Sequence, residues 1–151
     1  MLVSIAWLKE LVNLNIPVEE VIKLLPHRTI GTKAVTDKFI ELDMKGYNRA
    51  DLLSMRGVAM EVSAITCSKL NFTEEDKFIW ESDPPAGGLP EAKVKVENPK
   101  LVPLYCIAKI EGLKVSKSPK NWVNRLFDCG VRSVNNVADV TNLVMVEYGQ
   151  P

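Results

Sequence analysis

The chain has one histidine and three cysteines in 151 residues, and no surplus of either charge, with 19 Lys+Arg against 19 Asp+Glu. Zero net charge removes any global pull toward nucleic acid or an anionic membrane, so an RNA contact must come from local charge and shape. Cys67, Cys106 and Cys129 are far apart, odd in number and form no CxxC pair. That excludes a disulfide framework and a zinc knuckle, and fits a reducing cytosol. With His27 the only histidine, every triad, Cys-His dyad or histidine metal site would depend on that one residue. It follows an apolar helical stretch beside Arg28, where a cationic contact with the helix C-terminus is the ordinary role. No apolar run approaches the roughly 20 residues that a membrane span needs. Lys9 and Glu10 appear without a small-residue cleavage site, which speaks against a signal peptide. What is present, 46% hydrophobic and 25% charged residues, is the composition of a globular protein with a core.

The periodicity changes several times along the chain. Trp7, Leu8, Leu11 and Val12 fall at helical spacing, with Ser4 placed to cap them. A second amphipathic helix runs through Val18, Val21, Ile22, Leu24 and Leu25, with Pro17 in its first turn and Pro26 closing its end. Residues 29–36 and 39–44 then read as two strands turning at Asp37 and Lys38. Asn48 is placed to cap a further helix, with Asp51 beside the first-turn amides, and Leu52, Met55, Val58, Ala59, Val62 and Ile65 give it an apolar stripe. Gly57 breaks that stripe at a cost near 1 kcal/mol relative to alanine, which implies either two shorter helices or a close backbone contact. Arg49 is expected to be tied to Asp51 or to a neighbouring acid.

Residues 69–92 read as a linker, because 83–90 combine three prolines with two glycines. Phe78, Ile79 and Trp80 would pin part of it to a surface. Residues 93–97 alternate strictly as a strand, and 104–115 read as a second, mostly buried one. Ser118 and Pro119 start a helix whose buried face is Trp122, Val123, Leu126 and Phe127, and which Gly130 ends. Lys114, Lys117, Lys120 and Arg125 gather near its start; a solvated helix face is the ordinary meaning, a phosphate contact the alternative. The segment from Arg132 through Asn135, Asn136 and Asp139 to Thr141 and Asn142 is dense in amide, carboxylate and hydroxyl groups. It reads equally as a turn with an N-cap and as one wall of a small polar pocket. A helix with Val140, Leu143, Val144 and Met145 follows.

These blocks, in this order, resemble the N-terminal part of the β subunit of bacterial phenylalanyl-tRNA synthetases. The resemblance is carried by residues 3–12, by 40–62 with Asn48, Arg49, Asp51, Arg56 and Gly57, by 93–99, and by the long block 131–151. It implies an α+β fold: a small helical and β domain of winged-helix-like type over 1–68, the linker 69–92, and the truncated opening of a β-rich editing domain over 93–151. In that family the editing domain hydrolyses tyrosine wrongly attached to the phenylalanine tRNA. By the resemblance, Thr141 and Asn142 line its pocket, and no catalytic or metal-ligating residue falls in this stretch. Amino-acid activation, with ATP and Mg²⁺, belongs to the α subunit of a cytoplasmic heterotetramer that binds tRNA, so the chain alone is expected to bind neither cofactor and to be inactive. Three departures matter. Residues 29–36 run directly into 39–44, without the oligonucleotide-binding-fold domain that many bacterial members insert there. Tyr47 and Ala50 stand where the family's turn has prolines. The chain also stops before the rest of the editing pocket, so the second region would fold alone, pair with another copy through an open sheet edge, or stay partly disordered. A freestanding binding module without catalysis is the alternative reading.

Overall fold

A computed structural model describes residues 1–46, 48–72, 95–103, 105 and 110–150. Its elements divide into two units, residues 1–75 with 115–151, and residues 76–114. In the first, strand β1 (Leu2–Ser4) runs into helix α1 (Ile5–Leu11), and Ser4 accepts the Trp7 amide hydrogen at 3.3 Å as the N-cap. Strand β2 (Val12–Asn13) ends that helix. Helix α2 (Val18–Arg28) starts at Pro17, whose fixed φ suits a helix start. It does not close at Pro26, which lies inside it, and His27 and Arg28 complete the last turn, exposed.

The two strands read at 29–44 form the antiparallel hairpin β3 (Thr32–Val35) and β4 (Phe39–Leu42). Strand β1 pairs antiparallel with β4, Val3 opposite Ile40, giving the sheet order β1-β4-β3. That long-range pairing has no local sequence signal. The alternation in β4 buries Ile40 and Leu42 against the helices.

A 3₁₀ turn (Ala50–Leu53) precedes helix α3 (Met55–Thr66). The cap is Ser54 rather than Asn48: its hydroxyl accepts the Gly57 amide hydrogen at 3.0 Å and donates to the Asp51 carbonyl at 2.9 Å. Helix α3 is continuous through Gly57, so the close-contact reading of that glycine is the correct one. A Cβ there would sit 1.9 Å from the Asp51 carbonyl oxygen. Cys67 ends α3 with φ of 53°, and strand β5 (Lys69–Leu70) turns back to pair antiparallel with β2. Ser68 is buried in this corner, where its hydroxyl donates to Asn15 Oδ1 at 2.8 Å and accepts the Asn15 amide hydrogen at 3.2 Å.

Helices α4 (Lys120–Asp128) and α5 (Asn136–Tyr148) pack into the same unit as residues 1–72, not into a separate body. Val146 joins a core of Val3, Leu8, Leu25, Ile40, Met55 and Val62, while Cys129, Val131, Leu143 and Met145 pack against it. Ser4 donates to Asp128 Oδ2 at 3.4 Å, and the Arg125 guanidinium lies over the Trp7 ring at 5.2 Å while pairing with Glu10. The expected buried face of α4 holds at Leu126 and partly at Trp122 and Val123, but Phe127 is 73% exposed. The helix starts one residue later than expected, with Pro119 at the N-cap position and no side-chain cap, and the Ser118 hydroxyl donates to Asp139 instead.

Arg56 fastens α3 to α5. Its guanidinium stacks between the rings of Phe72 (4.6 Å) and Tyr148 (4.4 Å), and its Nε donates to Glu147 at 2.9 Å. Two cation–π contacts and a half-buried ion pair together are worth about 2 kcal/mol. Arg56→Ala should therefore lower the unfolding free energy by that amount, read as a lower urea midpoint at unchanged slope, and Glu147→Gln by less than half of it.

In the second unit, Asn98 makes a turn in which its side chain accepts the Lys100 and Leu101 amide hydrogens. The strands read at 93–97 and 104–115 fall partly outside the described residues, as do Cys106 and the linker's Phe78, Ile79 and Trp80. Their described parts, 95–97 and 110–115, are not strands. Alternation is only the pattern of a strand; the element needs a neighbour for its backbone N–H and C=O groups, and no described strand pairs with these residues.

Candidate functional site

The polar segment singled out in the sequence is built around a carboxylate. Asp139, in the first turn of α5, has none of its surface exposed. Its Oδ2 accepts the Ser118 and Ser133 hydroxyls, each at 2.5 Å, and its Oδ1 accepts the Val134 amide hydrogen at 2.8 Å. Burial alone would raise its pKa; the hydrogen bonds from Ser118, Ser133, Val134 and Asn135 outweigh that and hold it below the ordinary carboxylate value. The asparagines complete the joint. Asn135 caps α5, accepting the Val137 and Ala138 amide hydrogens at 3.0 and 2.9 Å. Asn136 exchanges two hydrogen bonds with Ser116, its Oδ1 accepting from the Ser116 amide at 2.9 Å and its own amide donating to the Ser116 carbonyl at 3.0 Å. Of the two readings left open, turn and cap account for Asn135, Asn136 and Asp139.

Thr141 and Asn142 stand apart from that network. Thr141 is exposed, with its hydroxyl donating to the Ala138 carbonyl at 2.8 Å, and Asn142 is half-buried. Thr141 lines an open hollow of about 230 Å³ with Val140, Val144 and Gln150. A larger hollow, about 320 Å³, lies under Phe127 and is lined by Val123, Gly130, Val131, Arg132 and Ser133. The roles of Ser118 and Ser133 were not legible; the only signal was a serine preceding a helix-starting proline and another inside an asparagine-rich bend.

The other expected polar groups are accounted for by structure. Arg49 makes a bidentate pair with Asp51 (2.9 and 2.7 Å) and reaches Glu61 at 2.7 Å, as the capping reading predicted. The Arg49 guanidinium holds the Asp51 carboxyl below its ordinary value. Among the thiols, Cys67 is exposed, whereas burial pushes Cys129 above the ordinary thiol value and makes it a poor nucleophile. Among the described residues, no group of three or more His, Cys, Asp and Glu could hold a metal ion, and no helix is long and apolar enough to cross a membrane.

Residues 101–151 match the B3/4 domain family. Over 115 residues, 76% of the chain, it is 45% identical to the phenylalanine–tRNA ligase β subunit of Lactococcus lactis subsp. lactis, covering 14% of that protein. It is 39% identical over 136 residues to the subunits of the same name from Streptococcus mutans and Streptococcus pyogenes, covering 86% of the chain and 16% of each relative. No solved structure matches it. The chain is thus homologous, through most of its length, to a segment of these ligase subunits that makes up about a seventh of them.

Proposed function

We propose that this chain works as a segment of a phenylalanine–tRNA ligase β subunit, contributing one wall of a pocket that hydrolyses mischarged tyrosyl-tRNA. The observation carrying this reading is the 45% identity over three quarters of the chain, together with the B3/4 match over residues 101–151. In this reading Thr141 and Asn142 offer hydrogen bonds to the misplaced tyrosine and its ester. A site of that kind must recognise a hydroxyl that phenylalanine lacks, and polar partners discriminate such a group far better than an apolar pocket separates one methylene from none. Exposure of Thr141 beside a hollow supports the assignment. The relatives extend far past the matched stretch, and the opposite wall is assigned to that part of them. Residues 1–68 would form the winged-helix-like first module, and residues 93–151, which include the B3/4 match, would open the editing domain.

The rest of the work falls to partners. Activation of phenylalanine with ATP and Mg²⁺ is assigned to an α subunit in a cytoplasmic α/β assembly that binds tRNA, and no step here runs through those cofactors. The second reading, a binding module without catalysis, draws on the exposed apolar side chains Phe127, Val140 and Val144.

One comparison separates the two. In an assembled synthetase carrying this segment, Thr141→Ala with Asn142→Ala should slow tyrosyl-tRNA hydrolysis by about tenfold or more, leaving phenylalanine charging within about twofold. Unchanged hydrolysis would overturn the editing assignment. The 151-residue chain alone should form no phenylalanyl-tRNA.

A further inference from the structure

We propose that Asp139 is the positioning residue of the site α5 presents, fixing the rotation of the helix that carries Thr141 and Asn142; this rests on the functional reading above. The two carboxylate oxygens are held from three directions. Ser118 approaches from the segment before α4, and Ser133 and Val134 from the segment joining α4 to α5. With the Asn135 amide these make four donors on two oxygens, which set both the depth of the side chain and the rotation of its helix, because a turn of α5 about its axis would break at least one bond.

Rotation is the quantity that matters at Thr141. An α-helix advances about 100° per residue, so a residue two positions on points roughly 200° away. Asp139 is wholly buried and Thr141 is exposed, as that angle requires. Holding the carboxylate inward therefore holds Thr141 outward. The Thr141 hydroxyl is also tied to the carbonyl of Ala138, one residue before the anchor. Among the described residues the partners of the carboxylate are hydroxyls and amides with no cation among them, so the charge gains orientation more than Coulombic attraction. An apolar side chain in its place would fill the space without specifying an angle.

Asparagine provides the conservative replacement. Its Oδ1 can still accept from Val134, while its NH₂ donates to both serine oxygens, which change from donors to acceptors. In the assembled synthetase, at a temperature where circular dichroism shows each variant folded, Asp139→Ala should lower kcat for tyrosyl-tRNA hydrolysis by about tenfold. The KM for tRNA should stay within about threefold and phenylalanine charging within about twofold, while Asp139→Asn should recover hydrolysis to within about threefold of the parent. Should Asp139→Ala fail to fold, Ser118→Ala with Ser133→Ala, which leaves the Val134 bond intact, replaces it with a smaller expected loss. A folded variant that hydrolyses at the parent rate, or loses hydrolysis and charging together, would overturn the proposal. If Thr141→Ala with Asn142→Ala is silent, the functional reading falls and takes the proposal with it. If that pair is impaired while folded Asp139→Ala is not, the proposal alone fails.

Discussion

Gly57→Ala should destabilise the protein by about 3 kcal/mol or more, read as a lower urea midpoint at unchanged slope. The direction makes the test sharp. In an ordinary helix interior the same substitution adds about 1 kcal/mol of stability, because alanine loses less backbone entropy. Here the added methyl would lie 1.9 Å from the Asp51 carbonyl oxygen and 3.0 Å from Ser54 Oγ. Neither can yield cheaply. The Asp51 carbonyl accepts hydrogen bonds from both the amide and the hydroxyl of Ser54, and Ser54 caps α3. Relief of the clash thus unseats the cap and the buried Met55 and Val58 behind it. A Gly57→Ala variant as stable as the parent would mean that the 3₁₀ turn does not approach the helix as described.

Asp139 should give the chain an acid-sensitive component of stability. Its folded pKa lies below the unfolded value, about 3.9 for an aspartate. Between those two values the unfolded chain binds a proton that the folded chain refuses, so stability falls as the pH drops through that window and is fully present above it. Asp139→Asn, which never titrates, removes this component. At pH 7 it should melt below the parent, and the gap should narrow as the pH is taken below about 4. Asp139→Ala, which leaves the donors of Ser118, Ser133 and Val134 without their acceptor, should lower the melting temperature by about 10 °C at pH 7. Parallel pH profiles for parent and Asp139→Asn would show that the carboxylate is not bonded as described.

What could be read in advance was whatever depends on neighbours in the chain. The Ser4 cap, the hairpin of β3 and β4, the apolar stripe of α3 and the Arg49–Asp51 pair involve partners a few residues apart, where spacing alone sets geometry. The failures share a different cause. Asn48 had the right chemistry for a cap, yet Ser54 takes that place because a 3₁₀ turn fits between them. Phe127 continued an apolar periodicity whose buried arc is narrower than the pattern. The pairing of β1 with β4 and the Arg56–Glu147 contact join residues far apart, and no local window records them. At the candidate site the density of polar groups was visible. Its division into a buried hub at Asp139 and an outward-facing Thr141 required knowing which turn of α5 meets the core.

Val146 completes a core otherwise drawn from residues 3–62. A ribosome must therefore add some 74 residues after Phe72 before that core can close, roughly 4–15 s at ordinary elongation rates. Through that interval the nascent N-terminal half presents an apolar face with no cover. Native packing of the N-terminal half is thereby coupled to synthesis of the last helix.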